Sequence, residues 1–256
     1  MTVADNALQS SVPNILPFLS CPIRLNRVRR INCFALVVLS ALLCVPLPAC
    51  VRAADIPVPD GYLDALGWYG RAAESGDSEA QYYLGMMLER GLRAKADPVA
   101  ALRWYQRAAV QGHAEAAFRL GSLLELGHGV AKNRSQAAAW YQKAAEGGVA
   151  RAQFNLALMF GRGLGVERDL KAALTWFEKA AEGGIAEAWP QLALHYAIGA
   201  GGERDPQKAL MALEIGAALG QGDNAAFRET LIAKLSPGQI AAAKRQAMAR
   251  LQKRAP

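Results

Sequence analysis

Trp68, Trp104, Trp140 and Trp176 stand 36 residues apart, and the chain around them repeats with the same step. Each tryptophan is followed by an aromatic residue: Tyr69, Tyr105, Tyr141 and Phe177. Gly76, Gly112, Gly148 and Gly184 keep the register, as do Leu84, Leu120, Leu156 and Leu192. Ala80, Ala116, Ala152 and Ala188 do the same. Self-similarity at this period specifies a solenoid, in which each unit buries its apolar face only against its neighbours. The period constrains architecture far more than function, because a repeat array mostly supplies a surface.

Residues 77–112 serve as the type unit. Ala80, Leu84, Met87 and Leu88 recur at helical spacing, which predicts a first helix from about Ser78 to Arg90. Gly91 ends it, since glycine tolerates the left-handed cap conformation. Asp97 and Pro98 open a second helix, with aspartate as N-cap and proline at the first helical position. Ala101, Leu102, Tyr105, Ala108 and Ala109 form its apolar stripe, and the tryptophan column is assigned to the core. Asn133, Asp169 and Asp205 repeat the Asp97 position, while Gly127, Gly163 and Gly199 repeat Gly91. The column Ala65, Ala101, Ala137, Ala173, Ala209 has no exception, which implies a close helix crossing. Pro190 replaces the aromatic of Tyr82, Phe118 and Phe154. A proline inside a helix removes a hydrogen bond, so the fourth unit's first helix is expected to start late, near Trp189.

These columns resemble the Sel-one-like repeat family, relatives of the tetratricopeptide repeats. The matching motifs are Ala152-Gln153-Phe154-Asn155-Leu156, the loops Gly127-His128-Gly129-Val130 and Gly163-Leu164-Gly165-Val166, and the run from Trp140 to Gly148. The resemblance implies an all-α, right-handed α-α superhelix of about eleven helices. The expected organisation is an N-terminal extension and secretory signal over 1–53, a linker over 54–61 and the repeat array over 62–235. The array holds a half unit at 62–75, full units at 77–112, 113–148, 149–184 and 185–221, and a degenerate unit from 222. A capping helix over 236–256 closes it, announced by the capping-box spacing of Ser236 and Gln239.

The N-terminal segment reads differently. Arg24, Arg27, Arg29 and Arg30 precede an apolar run from Ile31 to Leu47, and small residues follow at Val51-Arg52-Ala53. Basic, apolar, small is the order of a secretory signal, which predicts export to the periplasm or cell envelope. A retained membrane anchor and lipidation at Cys50 are the alternatives. All four cysteines, Cys21, Cys33, Cys44 and Cys50, lie here, so cleavage after Ala53 leaves a fold held by packing alone. The net charge of +7 is also concentrated here, with five arginines against Asp5 in residues 1–53. The remainder is nearly balanced, which argues against a nucleic-acid partner.

Catalysis needs a nucleophile, an acid–base pair or a metal in defined geometry. Three histidines, His113, His128 and His195, fall at unrelated places in the repeat, as a turn residue, a solvated loop residue and a core residue. No spacing suggests a metal pair, and the Gly-x-Gly loops end helices rather than follow strands, which argues against a nucleotide. No cofactor and no catalytic residue is expected. Arg71, Arg107, Lys143 and Lys179 form a basic ladder that suits the helix dipole and lies within reach of Glu74, Glu146 and Glu182.

In tetratricopeptide-like arrays the first helices line a concave groove. What the resemblance implies here is a set of columns that vary between units: Glu79/Glu115/Arg151/Glu187, Tyr83/Arg119/Asn155/Gln191 and Glu89/Glu125/Gly161/Ala197. Glu79, Glu89, Glu115, Arg119, Glu125, Arg151, Asn155 and Arg162 are the candidate partner-binding residues. The expected function is a non-catalytic interaction module that holds a protein or peptide. An envelope polysaccharide, stacking on aromatics such as Tyr83, is the nearest alternative. A hydrolase like the cysteine-rich, β-lactamase-like members is more remote, because the array lacks their cysteines.

Overall fold

The computed structural model describes residues 62–91, 95–222 and 224–253. The signal, anchor and lipidation expectations therefore lie outside the described residues. Among the described residues all regular structure is helical. In order the helices are α1 Tyr62–Glu74, α2 Ser78–Arg90, α3 Pro98–Val110, α4 Ala114–Leu126, α5 Arg134–Glu146 and α6 Ala150–Arg162. They continue with α7 Leu170–Glu182, α8 Ala188–Ile198, α9 Pro206–Ala218, α10 Ala225–Ile232 and α11 Pro237–Gln252. Helices α1 to α10 each pack on the helices next to them in the chain, and α11 packs on α9. This is the right-handed α-α superhelix expected of the repeat, closed at its C-terminal end by α11.

The caps follow the sequence grammar. Asp97, Asn133, Asp169 and Asp205 each accept a backbone N–H from the first turn of α3, α5, α7 and α9. Gly91, Gly127, Gly163 and Gly199 end α2, α4, α6 and α8 in the left-handed conformation, with φ between 64° and 75°. Ser236 and Gln239 form a reciprocal capping box at α11. The expected late start at Pro190 is present: α8 begins at Ala188, two residues after the position at which α2, α4 and α6 begin.

One expectation needs correction. The tryptophan column is not the deepest layer, because Trp104, Trp140 and Trp176 are only half-buried. Tyr105, Tyr141 and Phe177, the residues immediately after them, are the large side chains fully withdrawn from solvent. Adjacent helix positions point about 100° apart, so only one of two neighbouring aromatics can face the layer between helices. The tryptophans carry the basic ladder instead. Arg107 lies 4.6 Å from the Trp104 ring centre, and Lys143 and Lys179 lie 4.2 Å from those of Trp140 and Trp176. Among the described residues no ion pair joins these cations to Glu74, Glu146 or Glu182.

Consecutive units also meet through their loops. Gly129 sits against Pro98, Gly165 against Arg134 and Ser135, and Gly201 against Leu170, each at the start of the preceding unit's second helix. A Cβ on Gly129 would come within 2.8 Å of the Pro98 side chain, and one on Gly165 within 2.7 Å of the Ser135 nitrogen. The glycine is required twice over at these sites, by a positive φ and by the close approach.

Candidate functional site

The first helices α2, α4, α6 and α8 present the variable columns. At the α2–α4 junction the Nε2 atom of His113 lies 3.1 Å from a Glu79 carboxylate oxygen. The Nδ1 atom of the same ring accepts the Ala116 backbone N–H, capping α4. The two contacts together fix the tautomer with the proton on Nε2, where it is donated to Glu79. The His113 ring stacks on Tyr82 with centroids 4.7 Å apart. His113 is therefore more than a turn residue, since it joins a cap, a carboxylate and an aromatic face.

Arg119 completes this junction from α4. Its guanidinium lies close to the Tyr82 hydroxyl and the Glu89 carboxylate, both of which favour its charged form. Burial alone would lower its proton affinity, but these two partners outweigh it and hold Arg119 above the usual arginine range. Its Nε atom is buried without a hydrogen-bond partner. Glu89 in turn accepts the Tyr105 hydroxyl at 2.6 Å. Tyr83 stands beside Tyr69 and Tyr82, with centroids 5.3 Å away in each case. Burial first, and the neighbouring Glu79 second, push the Tyr83 phenol up to about 12.

The next junction repeats the theme with fewer parts. Glu125 accepts the Tyr141 hydroxyl at 2.9 Å. Burial and the Glu125 carboxylate raise the Tyr141 phenol well above its usual range. Asn155, from α6, and Ser122, from α4, lie close to that phenol and partly offset the rise.

The structure thus brings Glu79, Glu89 and Arg119 together around Tyr82, and Glu125 and Asn155 together at Tyr141. It leaves Glu115, Arg151 and Arg162 exposed and separate from both clusters. His128 is exposed, and His195 is buried with Nδ1 3.3 Å from the Ala200 carbonyl oxygen. Burial lowers the His195 proton affinity. Among the described residues no group of three or more histidine, cysteine, aspartate or glutamate side chains could hold a metal ion.

Sequence reading missed that Glu89 and Glu125 are tied to buried tyrosines. A signal for it exists within the chain. Where the second helix carries Tyr105 or Tyr141, the first carries Glu89 or Glu125. Where it carries Phe177 or Leu213, the matching residue is Gly161 or Ala197.

Solved structures of similar fold are known. A Sel1 repeat protein from Oxalobacter formigenes is 30% identical, with a TM-score of 0.58 over 73% of this chain and 79% of that one. A protective antigen present in uropathogenic Escherichia coli strains, displaying an SLR fold, is 32% identical, with a TM-score of 0.47 over 78% of this chain. This chain spans 50% of that antigen's length. No curated protein matches the chain. The family model of the Sel1 repeat matches residues 56–77, 78–113, 114–149, 150–185 and 191–221. With five matched stretches in register with the helix pairs, the chain belongs to the Sel1 repeat family, whose arrays act as protein-interaction scaffolds.

Proposed function

We propose that this protein is an exported, non-catalytic scaffold of the bacterial periplasm or cell envelope, and that it holds a protein or peptide segment along the face built by α2, α4, α6 and α8. One observation carries the reading. The packing columns keep their residues from unit to unit, while the columns on this face change charge and size, from Glu79 and Glu115 to Arg151 and from Arg119 to Asn155. Two of the changing groups, Glu89 and Glu125, are held in place by bonds to buried tyrosines, so their ordering cost is met before a partner arrives. Export rests on the order of charges and apolar residues between Arg24 and Ala53. Retention of that segment, or a lipid on Cys50, would tether the scaffold to the membrane.

The glycan alternative is weaker, because the aromatic faces a sugar would use are already occupied. Tyr82 stacks on His113, and Tyr83 leans on Tyr69 and Tyr82. The deciding experiment is an affinity pull-down from envelope extract, with the wild type beside an Arg151→Glu, Asn155→Ala double variant. Loss of a specific protein from the variant, with unchanged thermal melting, is the expected result. Identical partners on both would remove the groove from consideration. Capture of polysaccharide, insensitive to salt and lost on Tyr83→Ala, would favour the alternative.

A further inference from the structure

The groove face has one break in its periodicity. In the first three units an aromatic ring of the first helix packs on the aromatic of the second. Tyr82 meets Tyr105, Phe118 meets Tyr141 and Phe154 meets Phe177, with centroids 5.9, 5.8 and 5.7 Å apart. In the fourth unit the same two positions hold Pro190 and Leu213. The alanine beneath them, Ala108, Ala144 and Ala180 in turn, becomes Gly216. Three groups shrink at one place. Helix α10, which follows where a further first helix would, is only 8 residues long and borders the place with Phe227. A crevice of about 680 Å³ results, lined by Pro190, Leu194, Leu213, Gly216 and Phe227 with Asn224 among them. Leu194 is 47% exposed.

The charge along the face also varies by unit: exposed Glu79 and Glu115 belong to the first two units, with Arg90 at the far end of α2, exposed Arg151 and Arg162 to the third, and exposed Glu187 to the fourth. We infer that the groove takes an extended peptide anchored by an aromatic side chain in the fourth-unit crevice, with an acidic residue against Arg151 and Arg162 and a basic residue against Glu79 and Glu115. This rests on the groove being the binding face. A ring entering the crevice restores the contact that Pro190 and Leu213 leave out, and it removes apolar surface on both partners from water. The order follows from the units: the aromatic lies at the fourth, the acid at the third and the base at the first two, in one chain direction or the other.

The test is panning of a random decapeptide display library on the purified full chain, followed by anisotropy titration of the enriched peptides carrying a fluorescent label. Enriched peptides are expected to carry an aromatic at one end and lysine or arginine toward the other. Pro190→Phe refills the crevice with the residue type of the earlier units, and it should weaken binding at least tenfold. Leu194→Lys, at an exposed position, should do the same without affecting folding. A Glu79→Lys, Glu115→Lys variant should weaken binding at least fivefold at low salt and much less at high salt. Enriched peptides without an aromatic, or unchanged affinity of both Pro190→Phe and Leu194→Lys, would overturn the inference while leaving the groove reading intact. Failure to enrich any peptide would overturn both.

Discussion

Tyr105 donates its hydroxyl to Glu89 at 2.6 Å, and its ring lies where a methyl group on Gly85 would come within 2.8 Å. Unit two repeats all three residues as Tyr141, Glu125 and Gly121. Later units change all three together, to Phe177, Gly161 and Ala157, and then to Leu213, Ala197 and Ala193. The hydroxyl, its acceptor and the space for the ring come and go as a set. The array therefore has two kinds of joint between its helices, one polar and one apolar.

That grouping is testable as an energetic coupling. Gly121→Ala should destabilise the fold by about 1–2 kcal/mol through overpacking, although alanine is the better helix former. Adding Glu125→Ala and Tyr141→Phe makes this joint apolar, as the later ones are, and frees the ring to shift, which should recover at least half of the loss. Urea unfolding of the single and triple variants measures it. Losses that simply add would mean the three positions are independent.

Burial ranks the two aromatic columns. Tyr141→Ala should cost about 3–5 kcal/mol, as truncation of a buried aromatic does. Trp140→Ala should cost distinctly less, because its ring is half-exposed and covered on one face by Lys143. Lys143→Gln removes that cover and should cost about 0.5–1 kcal/mol. Equal losses for Trp140→Ala and Tyr141→Ala in thermal unfolding would contradict this ranking.

The phenols give the fold an alkaline limit. Tyr69, Tyr83, Tyr105, Tyr141 and Tyr196 are all raised above 10.0, burial being the largest cause in each. Each binds its proton more tightly folded than unfolded. The stabilisation is fully present below about pH 10 and is lost as pH climbs through the raised values. Absorbance titration of the native protein at pH 10 should show these phenols mostly protonated, and the melting temperature should fall steeply above it. Tyr105→Phe should flatten that fall. A tyrosine titration identical in native and urea-unfolded protein would be the contrary result.

Two glycines with similar φ separate strain from contact. Gly148 has φ 88° and nothing within 4 Å of an added Cβ, so Gly148→Ala should cost only the left-handed penalty, about 1–2 kcal/mol. Gly165 has φ 75° and presses on Arg134 and Ser135 of the preceding unit. Gly165→Ala should cost clearly more and should broaden the unfolding transition by loosening one unit from the next. Calorimetry on both variants checks the order.

Local chemistry explains what could be read in the residues alone. Asp97 with Pro98, the four left-handed glycines and Pro190 act within one turn of helix, so their effects on helix ends follow from sequence directly. The choice between Trp140 and Tyr141 as the buried aromatic does not, because periodicity marks both columns equally and only the helix crossing decides which faces inward. The candidate site divides the same way. The varying columns could be named, and the structure places Arg119 and Asn155 on them as polar, half-buried groups. The bond from Tyr105 to Glu89 spans two helices, and the crevice at Pro190 and Leu213 needs two losses to coincide in space. Both become visible in sequence only when residues 16 or 23 apart are compared across units.

The seat of each loop glycine on the unit before it makes the joints interchangeable. Gly129 on Pro98, Gly165 on Arg134 and Gly201 on Leu170 pair positions that are equally spaced along the chain. A chain lacking residues 113–148 would set Gly165 on Pro98, meeting the same kind of helix start. Length in such a protein is quantised: whole steps of 36 residues add or remove one helix pair and leave both ends as they were, while any other step puts a side chain where a glycine must sit.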